Sequence, residues 1–212
     1  MLYLQLEKTD FEVLNFLIEN LELEFSIKEI SLKINRAYVK IHNSIKRLSK
    51  KKIIKEELKG RAHYCSLDYK SCMDIVCFIN SQKAKEFLTK NKNIGPIIDE
   101  ILKNVKFPDY TLVLFGSYAK GSAEKHSDVD IAIIVSNENK EEAERVMNSI
   151  KRLSSLDIHS LEFTYKDFIE MLSSKENNVG KEIVKKSIVF KGCEQFYDCR
   201  RLSEWKQKKK LK

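Results

Sequence analysis

The sequence is poor in the residues that interrupt regular structure. It has only two prolines and six glycines in 212 residues, while 33% of its residues are charged and 42% are hydrophobic. This composition supports a packed core and argues against long disordered linkers. No apolar run reaches the roughly 18 residues of a membrane helix, and no signal pattern opens the chain. We therefore expect a cytoplasmic protein with no membrane partner.

Cysteine is present but shows no pattern typical of a cross-link or a zinc site. The five cysteines lie at positions 65, 72, 77, 193 and 199, without a Cys-x-x-Cys pair or a Cys/His cluster. An odd count in an intracellular context predicts free thiols rather than a disulfide framework or structural zinc.

The net charge of +8 is unevenly distributed along the chain. From Ser26 to Arg61 there are nine Lys and three Arg against three Glu, a net charge of +9. The segment from Met1 to Phe25 is acidic (−5), and the last stretch, Arg200 to Lys212, is basic again (+6). A basic block of this density is suited to a polyanion such as nucleic acid.

The most informative stretch runs from Leu114 to Asp130 and reads LFGSYAKGSAEKHSDVD. It contains a Gly-Ser pair, a second glycine five residues after the first, and two aspartates at positions i and i+2. Short apolar, β-branched runs flank it at 110–115 and 129–135, and both are typical of buried strands. The stretch is therefore predicted to connect two neighbouring strands.

The residue types of this stretch suit a metal–nucleotide site. Side chains alternate along a strand, so Asp128 and Asp130 should project from the same face. Two carboxylates so close repel each other unless a cation lies between them, and Mg²⁺ prefers oxygen ligands and substrate phosphates. The Gly116-Ser117 turn would let backbone N–H groups and a hydroxyl approach a phosphate closely.

This pattern resembles the nucleotidyltransferase signature of the DNA polymerase β superfamily, and most closely its minimal prokaryotic members. The positions that fall on the signature are Gly116, Ser117, Gly121, Ser127, Asp128 and Asp130. The resemblance implies a mixed sheet flanked by helices, Mg²⁺ as cofactor and ATP as nucleotide donor. It also implies that the glycines and serines bind nucleotide and that the aspartates bind metal and are catalytic.

Members of this superfamily place a third carboxylate on the next strand, which is predicted here at 156–164. Asp157 is the leading candidate for a third catalytic and metal-binding residue, and His159 should share its face. Glu162 lies on the opposite face and is the second candidate. The third possibility is that this strand supplies no metal-binding carboxylate. Nucleotide binding would then be intact, but catalysis by two metal ions would be in doubt.

Helices are predicted on both sides of this strand. A helix from Glu138 to Ser154 should turn Ala143, Val146, Ile150 and Leu153 inward. Two more helices (165–173 and 179–186) and a terminal strand at 187–192 complete the resemblance. We expect the segment from Arg200 onward to be a basic, polar tail that forms a frayed helix, the alternative being a solvated end.

The first third of the chain has a helical and then a strand-like pattern. Ser26 and Glu29 have the spacing of a capping box, which predicts a short helix to Lys33. A longer helix should follow from about 36 to 51, with Val39, Ile41, Ile45 and Leu48 on its core face. Two strands joined through Lys59-Gly60-Arg61 complete the pattern.

This order of elements resembles that of prokaryotic winged helix-turn-helix regulators, whose third helix enters the major groove. The resemblance gives as DNA-binding candidates Arg36, Tyr38, Lys40 and Asn43 on the third helix, with Lys59 and Arg61 on the wing. The alternative is a winged helix that contacts proteins, with its charges merely solvated. Clustering of positive charge on both elements favours double-stranded DNA.

We therefore predict an α+β protein with a winged helix-turn-helix domain at 1–69, a helical connector at 70–91, a nucleotidyltransferase domain at 92–199 and a tail at 200–212. The expected function is Mg²⁺-dependent transfer of AMP from ATP to a macromolecular acceptor. The resemblance implies that such a protein can be an antitoxin that modifies a HEPN-type toxin. The alternative is a DNA-binding regulator whose second domain senses nucleotide or contacts a partner without turnover. The acceptor, the DNA sequence and the oligomeric state cannot be read from these residues.

Overall fold

A computed structural model describes residues 6–21, 23–68 and 71–210. The chain divides into two compact units, the first ending at Ile79 and the second beginning at Asn80. The division falls inside helix α4 (Met73–Lys90). Lys70, where we expected the connecting helix to begin, lies outside the described residues, as do the last two residues of the predicted tail. Within the described ranges, no helix is long and apolar enough to cross a bilayer.

The first unit combines helices with a small antiparallel sheet. Its sheet has the strand order β1-β3-β2. The elements before α4 are α1 (Lys8–Glu19), β1 (Phe25–Ser26), α2 (Ile27–Lys33), α3 (Tyr38–Lys50), β2 (Ile54–Lys59) and β3 (Ala62–Leu67). Strands β2 and β3 form a hairpin whose turn contains Gly60 in the left-handed conformation, with φ 64°.

The predicted capping box at the start of α2 is confirmed. The Glu29 N–H donates to Ser26 Oγ at 3.2 Å, and the Ser26 N–H donates to Glu29 Oε2 at 2.7 Å. After α2, Asn35 adopts φ 51°, which no helix interior allows, and α3 therefore begins at Tyr38 rather than near Arg36.

Helix α3 packs on α1 through apolar side chains and one buried carboxylate. Ile41, Ile45 and Leu48 are buried as expected. Asp10 of α1 is fully buried and accepts hydrogen bonds from Ser44 Oγ at 2.5 Å and from the Arg47 guanidinium at 2.8 Å.

The expectation that Val39 belongs to the core face of α3 is wrong, because 67% of it is exposed. It lies two positions before buried Ile41, which places it about 200° around the helix from that residue, on the opposite face.

The second unit contains a four-stranded mixed sheet with the order β6-β5-β4-β7. Its strands are β4 (Tyr110–Leu114), β5 (Val129–Val135), β6 (Ile158–Thr164) and β7 (Ile188–Lys191). Strand β5 runs parallel to β6 and antiparallel to β4, which also pairs antiparallel with β7. Helices accompany the sheet: α5 (Gly95–Asn104), α6 (Gly116–Lys120), α7 (Lys140–Leu153), α8 (Tyr165–Ser173), α9 (Val179–Lys185) and α10 (Cys193–Lys210).

The two central strands are buried along almost their whole length. All five residues of β4 are buried, as are all residues of β5 except Asp130. Such continuous apolar strands require cover on both faces, which explains why the sheet has helices on each side. Only at the start of β5 does a charged side chain reach solvent, and this is where the candidate site lies.

Two expectations for the helices of this unit are corrected. On α7 the inward residues include Ala143, Met147 and Ile150, whereas Leu153 is 82% exposed because the helix ends there. Helix α10 continues without a break through position 199, where we expected the tail to begin. Arg200 and Ser203 are buried, so the segment does not start as a solvated end.

Candidate active site

The turn that follows β4 brings the backbone against a carboxylate. Gly116 opens α6 with φ 68°, a conformation that favours glycine. A β-carbon at this position would lie 1.9 Å from Asp130 Oδ2 and 2.7 Å from its carboxylate carbon. Glycine is thus required both by the backbone conformation and by the close approach of Asp130.

The second glycine of the motif ends the same short helix. Gly121 adopts the left-handed conformation, with φ 74°, and its N–H donates to the carbonyl of Tyr118 at 3.2 Å. No atom lies within 4 Å of where its β-carbon would be, so only the backbone conformation requires glycine here. The two glycines therefore fix the start and the end of α6, with Ser117 half-buried between them.

Ser127 shapes the loop that leads into β5. Its hydroxyl accepts a hydrogen bond from the Glu124 N–H at 2.8 Å, and its own N–H donates to the Glu124 carbonyl at 3.1 Å. This pair of bonds closes a tight turn immediately before Asp128. The Ser127 hydroxyl accepts a hydrogen bond in this turn and can still donate one, so the nucleotide contact that the motif predicts stays a prediction.

The paired aspartates lie at the solvent end of β5. Asp128 is exposed just before the strand, and Asp130 is its second residue with 23% of its side chain exposed. The Asp130 carbonyl accepts a hydrogen bond from the Phe115 N–H at 3.0 Å, which ties the end of β4 to the start of β5. The Asp130 carboxylate is therefore held next to the Gly116 turn, and Asp128 precedes it by two residues.

An imidazole from the neighbouring strand is paired with the second aspartate. The parallel register of β5 and β6 sets His159 opposite Asp130, and His159 Nδ1 lies 3.1 Å from Asp130 Oδ1. The His159 side chain remains 57% exposed. The sequence placed His159 on the face of Asp157, but the contact with Asp130 depends on strand register, which no local motif fixes.

The candidates for a third acid have different surroundings. Asp157 is exposed immediately before β6, and its carbonyl accepts a hydrogen bond from the Val129 N–H at 2.8 Å. It is therefore aligned with Asp128 across the two strands. Glu162 lies further along β6, where its carboxylate accepts a hydrogen bond from the hydroxyl of buried Ser160. Of the two, Asp157 is the residue at the same edge of the sheet as the paired aspartates.

The donor set suits a hard divalent cation. Within residues 6–21, 23–68 and 71–210, no three His, Cys, Asp or Glu side chains come close enough together to hold a metal ion by themselves. Mg²⁺, however, is commonly held by one or two carboxylates, with substrate phosphates and water completing its shell. Asp128 and Asp130 are the residues that would meet that requirement, whereas Asp157 is aligned with them by strand register without forming a three-carboxylate cluster.

A groove lies beside α6, on the side of Tyr118 and Gly121. Its volume is about 310 Å³, and α4 contributes Lys83, Phe87 and Lys90 to its wall. Lys90 pairs with Glu86 at 2.7 Å, and Lys120 of α6 lies on the opposite wall. The sequence analysis treated α4 only as a connector; the seven-residue spacing of Lys83 and Lys90, which puts both on one side of a helix, is the signal it missed.

Comparison with known proteins agrees with this arrangement. Residues 97–209, slightly more than half of the chain, match the sequence profile of the family described as "Nucleotidyltransferase domain". A Methanocaldococcus jannaschii protein, provisionally named a protein adenylyltransferase, is 41% identical over 58 residues, which are 26% of this chain and 40% of the relative's length. The chain thus matches less than half of that relative.

One solved structure is also similar. It is described as the crystal structure of the toxin-antitoxin with AMP-PNP, and it shares 18% identity with this chain at a TM-score of 0.35. The alignment covers 55% of this chain and 91% of the solved one. A TM-score at this level is too low to establish a shared fold.

Proposed function

The chain belongs to the nucleotidyltransferase domain family, and from this premise we propose that it transfers AMP from ATP to a hydroxyl group on a protein. The observation that carries the proposal is the close approach of Gly116 to Asp130, which puts the turn after β4 directly beside this carboxylate. A backbone that close to a carboxylate is suited to holding a triphosphate and its counter-cation together.

Each motif residue has a proposed task. The N–H groups of the Gly116-Ser117 turn and the Ser117 hydroxyl bind the triphosphate, and Gly121 fixes the end of that turn. Asp128 and Asp130 hold Mg²⁺, with Asp157 as the additional carboxylate. When bound, Mg²⁺ supplies neutralisation of phosphate charge and alignment of the attacking and leaving oxygens.

The reaction forms one bond and breaks another at the α-phosphorus. The acceptor hydroxyl gives up its proton to water as its oxygen bonds to that phosphorus, the bond to the oxygen that bridges the α- and β-phosphorus breaks, and pyrophosphate leaves. The chain's own contribution is to fix the triphosphate at α6 so that its α-phosphate faces the open edge of β5 and β6. Because Asp128 is exposed, a protein acceptor could reach this edge.

The class of acceptor is proposed from the name of the relative. The M. jannaschii protein is named for transfer to protein, and its 41% identity over 58 residues makes a protein hydroxyl the first acceptor to test. The resemblance of the motif to minimal nucleotidyltransferases further suggests an antitoxin whose acceptor is a HEPN-type toxin.

We also propose that the first unit is a winged helix-turn-helix domain that binds double-stranded DNA. Three helices followed by the β2–β3 hairpin, with β1 pairing at the edge, support this assignment. Tyr38, Lys40 and Asn43 are exposed on α3, and Arg61 lies in the turn of the hairpin. The domain limits 1–69, 70–91 and 92–199 remain part of this proposal, although the compact units meet at Ile79.

Two of the predicted DNA-binding side chains already have acidic partners. Arg36 donates to Glu12 through Nε at 2.7 Å and Nη2 at 2.6 Å. Lys59 forms ion pairs with Glu24 and, at 3.5 Å, with Glu57. These contacts raise the pKa of both basic groups, chiefly through the side-chain hydrogen bonds with Glu12 and Glu24. Phosphate contacts from either residue would therefore have to compete with a neighbouring carboxylate.

A second candidate function is a DNA-binding regulator whose nucleotidyltransferase domain binds nucleotide but does not catalyse its transfer. The contact of Asp130 with His159, rather than with a third carboxylate, is the observation that favours it. On this alternative, nucleotide binding changes DNA affinity without transfer of AMP.

The deciding experiment incubates the full chain with ATP labelled at the α-phosphate, Mg²⁺ and a lysate of its source cells. We expect label to appear on a protein band with the parent chain and not with Asp128→Asn/Asp130→Asn. Asp99→Asn, an exposed change on α5, is the matched control and should label normally. Equal labelling by the double variant would refute the site, whereas nucleotide binding without labelled protein would favour the regulator.

A further inference from the structure

The outer face of α3 presents an unusual combination of side chains. Val39 is 67% exposed and Tyr38 is 50% exposed, and both lie in the first turn of the helix. One turn further along, Asn43 is also exposed. Together they leave apolar surface and a hydrogen-bonding amide accessible on this face of α3.

Charge on this helix favours a polyanionic occupant over a protein surface of mixed charge. Helix α3 contains no acidic residue, and Lys40, Lys46, Arg47 and Lys50 are all basic. Its first turn has neither an acidic side chain nor a side-chain cap, so its free N–H groups carry the positive end of the helix dipole. An α-helix with its side chains also matches the major groove in width, at about 12 Å.

The residue most suited to reading guanine is not available on this face. An arginine selects guanine by donating two hydrogen bonds to its major-groove edge. Arg36 instead uses two of its nitrogens on Glu12, with both distances at 2.7 Å or below. The exposed side chains that remain near the start of α3 are Tyr38, Val39, Lys40 and Asn43. Lys40 suits a phosphate as well as guanine, so Val39 and Asn43 are the two with one preferred base partner.

We propose that α3 selects A·T base pairs, with Asn43 bonding to adenine and Val39 contacting the thymine methyl group. This inference rests on the DNA binding proposed above and adds the class of sequence that is recognised. Asparagine is matched to adenine because its amide donates and accepts in the order that adenine N7 and N6 require, and an apolar side chain gains from the thymine methyl. Neither residue offers a comparable match to a G·C pair.

The spacing of the two residues suits neighbouring base pairs. They are separated by four positions, so they lie one above the other on the helix, with β-carbons about 5–6 Å apart. Base pairs are stacked about 3.4 Å apart along each strand, so a helix inclined in the groove can bring each side chain to its own pair. The 3.5 Å contact of Asn43 Oδ1 with His42 Nδ1 is at the limit of a hydrogen bond and would not prevent this.

The test measures fluorescence anisotropy of the full chain with four duplexes of equal length, which alternate A·T, A·U, I·C and G·C pairs. A·U lacks the thymine methyl, and I·C keeps the minor groove of A·T but presents the major groove of G·C. We expect the order of affinity A·T, then A·U, then I·C and G·C together, with at least about a fivefold loss between the first and last. Val39→Ala should bind A·T and A·U equally, and Asn43→Ala should lose most of the preference over G·C.

The matched controls are Leu153→Ala and Asn148→Ala, two exposed changes on α7 that should leave the order unchanged. Equal affinity for all four duplexes would overturn the inference and leave DNA binding standing. Equal affinity for I·C and A·T would also overturn it, because reading would then occur in the minor groove. No binding to any duplex at low salt would overturn the DNA-binding proposal itself.

Discussion

Gly116 lies so close to Asp130 that a single methyl group between them would displace the carboxylate. The β-carbon of an alanine at 116 would be 1.9 Å from Asp130 Oδ2, and the left-handed backbone conformation at 116 disfavours alanine as well. The close approach of the turn after β4 to the start of β5 therefore depends on glycine at position 116. It links the local backbone of the motif to the orientation of the residue expected to bind the cation.

The first prediction is that Gly116→Ala abolishes Mg²⁺-dependent ATP binding while the protein still folds. The carboxylate of Asp130 must rotate or the turn must move, and either change separates the cation from the phosphates. Isothermal titration with ATP and Mg²⁺ checks binding, and circular dichroism checks the fold. Gly95→Ala is the matched control, because Gly95 has an ordinary φ and open space at its β-carbon. Parent-like ATP binding by Gly116→Ala would contradict the site.

The second prediction concerns the imidazole beside Asp130. His159→Asp should tighten Mg²⁺ binding by roughly tenfold, because a further carboxylate, besides those of Asp128 and Asp130, would then lie within about 4 Å of the cation. His159→Asn retains a hydrogen-bond donor without the charge and should leave Mg²⁺ affinity within about twofold of the parent. Titration with Mg²⁺ in the presence of ATP distinguishes the two variants. A weaker site in His159→Asp would show that the imidazole itself is needed there.

The third prediction concerns the ion pair between Glu12 and Arg36. Glu12→Gln should release the guanidinium and raise affinity most for the duplex that contains G·C pairs, because a free arginine can bind guanine. The salt slope should also become steeper, by about the contribution of one additional positive charge. Glu19→Gln, on the same helix, serves as the control and should change neither quantity. Anisotropy titrations at several salt concentrations give both. An unchanged slope in Glu12→Gln would mean that Arg36 lies outside the DNA footprint.

The fourth prediction follows from the buried thiols. Burial raises the pKa of Cys65, Cys72 and Cys199 to about 12, so these thiols stay protonated near neutral pH and react slowly. We expect a thiol reagent at about pH 8 to modify half-buried Cys77 and Cys193 first. All five should react after denaturation, and mass spectrometry assigns the sites. Rapid modification of Cys65 in the folded protein would contradict its burial.

The same pKa shifts predict how stability changes in alkali. The unfolded chain releases these protons near the ordinary thiol pKa of 9.0, whereas the folded chain keeps them to about 12. The folded state therefore binds more protons between these values, so the free energy of unfolding falls as pH rises from 9.0 toward 12. Below 9.0 the contribution is fully present. Urea unfolding on both sides of pH 9.0 measures the difference.

What could be predicted from the sequence was local. The capping box at Ser26 and the strands on either side of the Gly-Ser motif follow from neighbouring residues, and the structure has them. The pairs that define the site's surroundings join distant positions: Asp130 and His159 are 29 residues apart, and Glu12 and Arg36 are 24 residues apart. Strand register and helix packing create these contacts, and neither can be predicted from a short stretch of sequence.

Helix ends were the other source of error. Leu153 continues the apolar stripe of α7 but is the last residue of that helix, whereas Val39 lies about 200° around α3 from Ile41 and is not on its stripe. Hydrophobic periodicity does not show where the surface that a helix packs against ends. Apolar residues at helix ends are therefore predicted to be buried more often than they are. The frayed helix expected from Arg200 onward is the end of α10, which continues to Lys210.

The fifth prediction is that a fragment of residues 80–212 is more stable than one of residues 92–212. Ala84 and Phe87 of α4 belong to the core of the second unit, and Phe87 packs edge-on against Phe190 with ring centroids 6.3 Å apart. Asn80 also donates a hydrogen bond to the Tyr197 hydroxyl at 3.1 Å. The shorter fragment loses all these contacts. Thermal unfolding followed by circular dichroism compares the two fragments.

A substitution separates the role of α4 from that of fragment length. Phe87→Ala in fragment 80–212 should lower the free energy of unfolding by about 3–5 kcal/mol, because it removes a buried aromatic ring from the core. Lys92→Ala, at an exposed position just beyond α4, should cost little. If fragment 92–212 unfolds at the same temperature as fragment 80–212, the second half of α4 contributes nothing to this core. The boundary near residue 91 would then be the better limit of the catalytic unit.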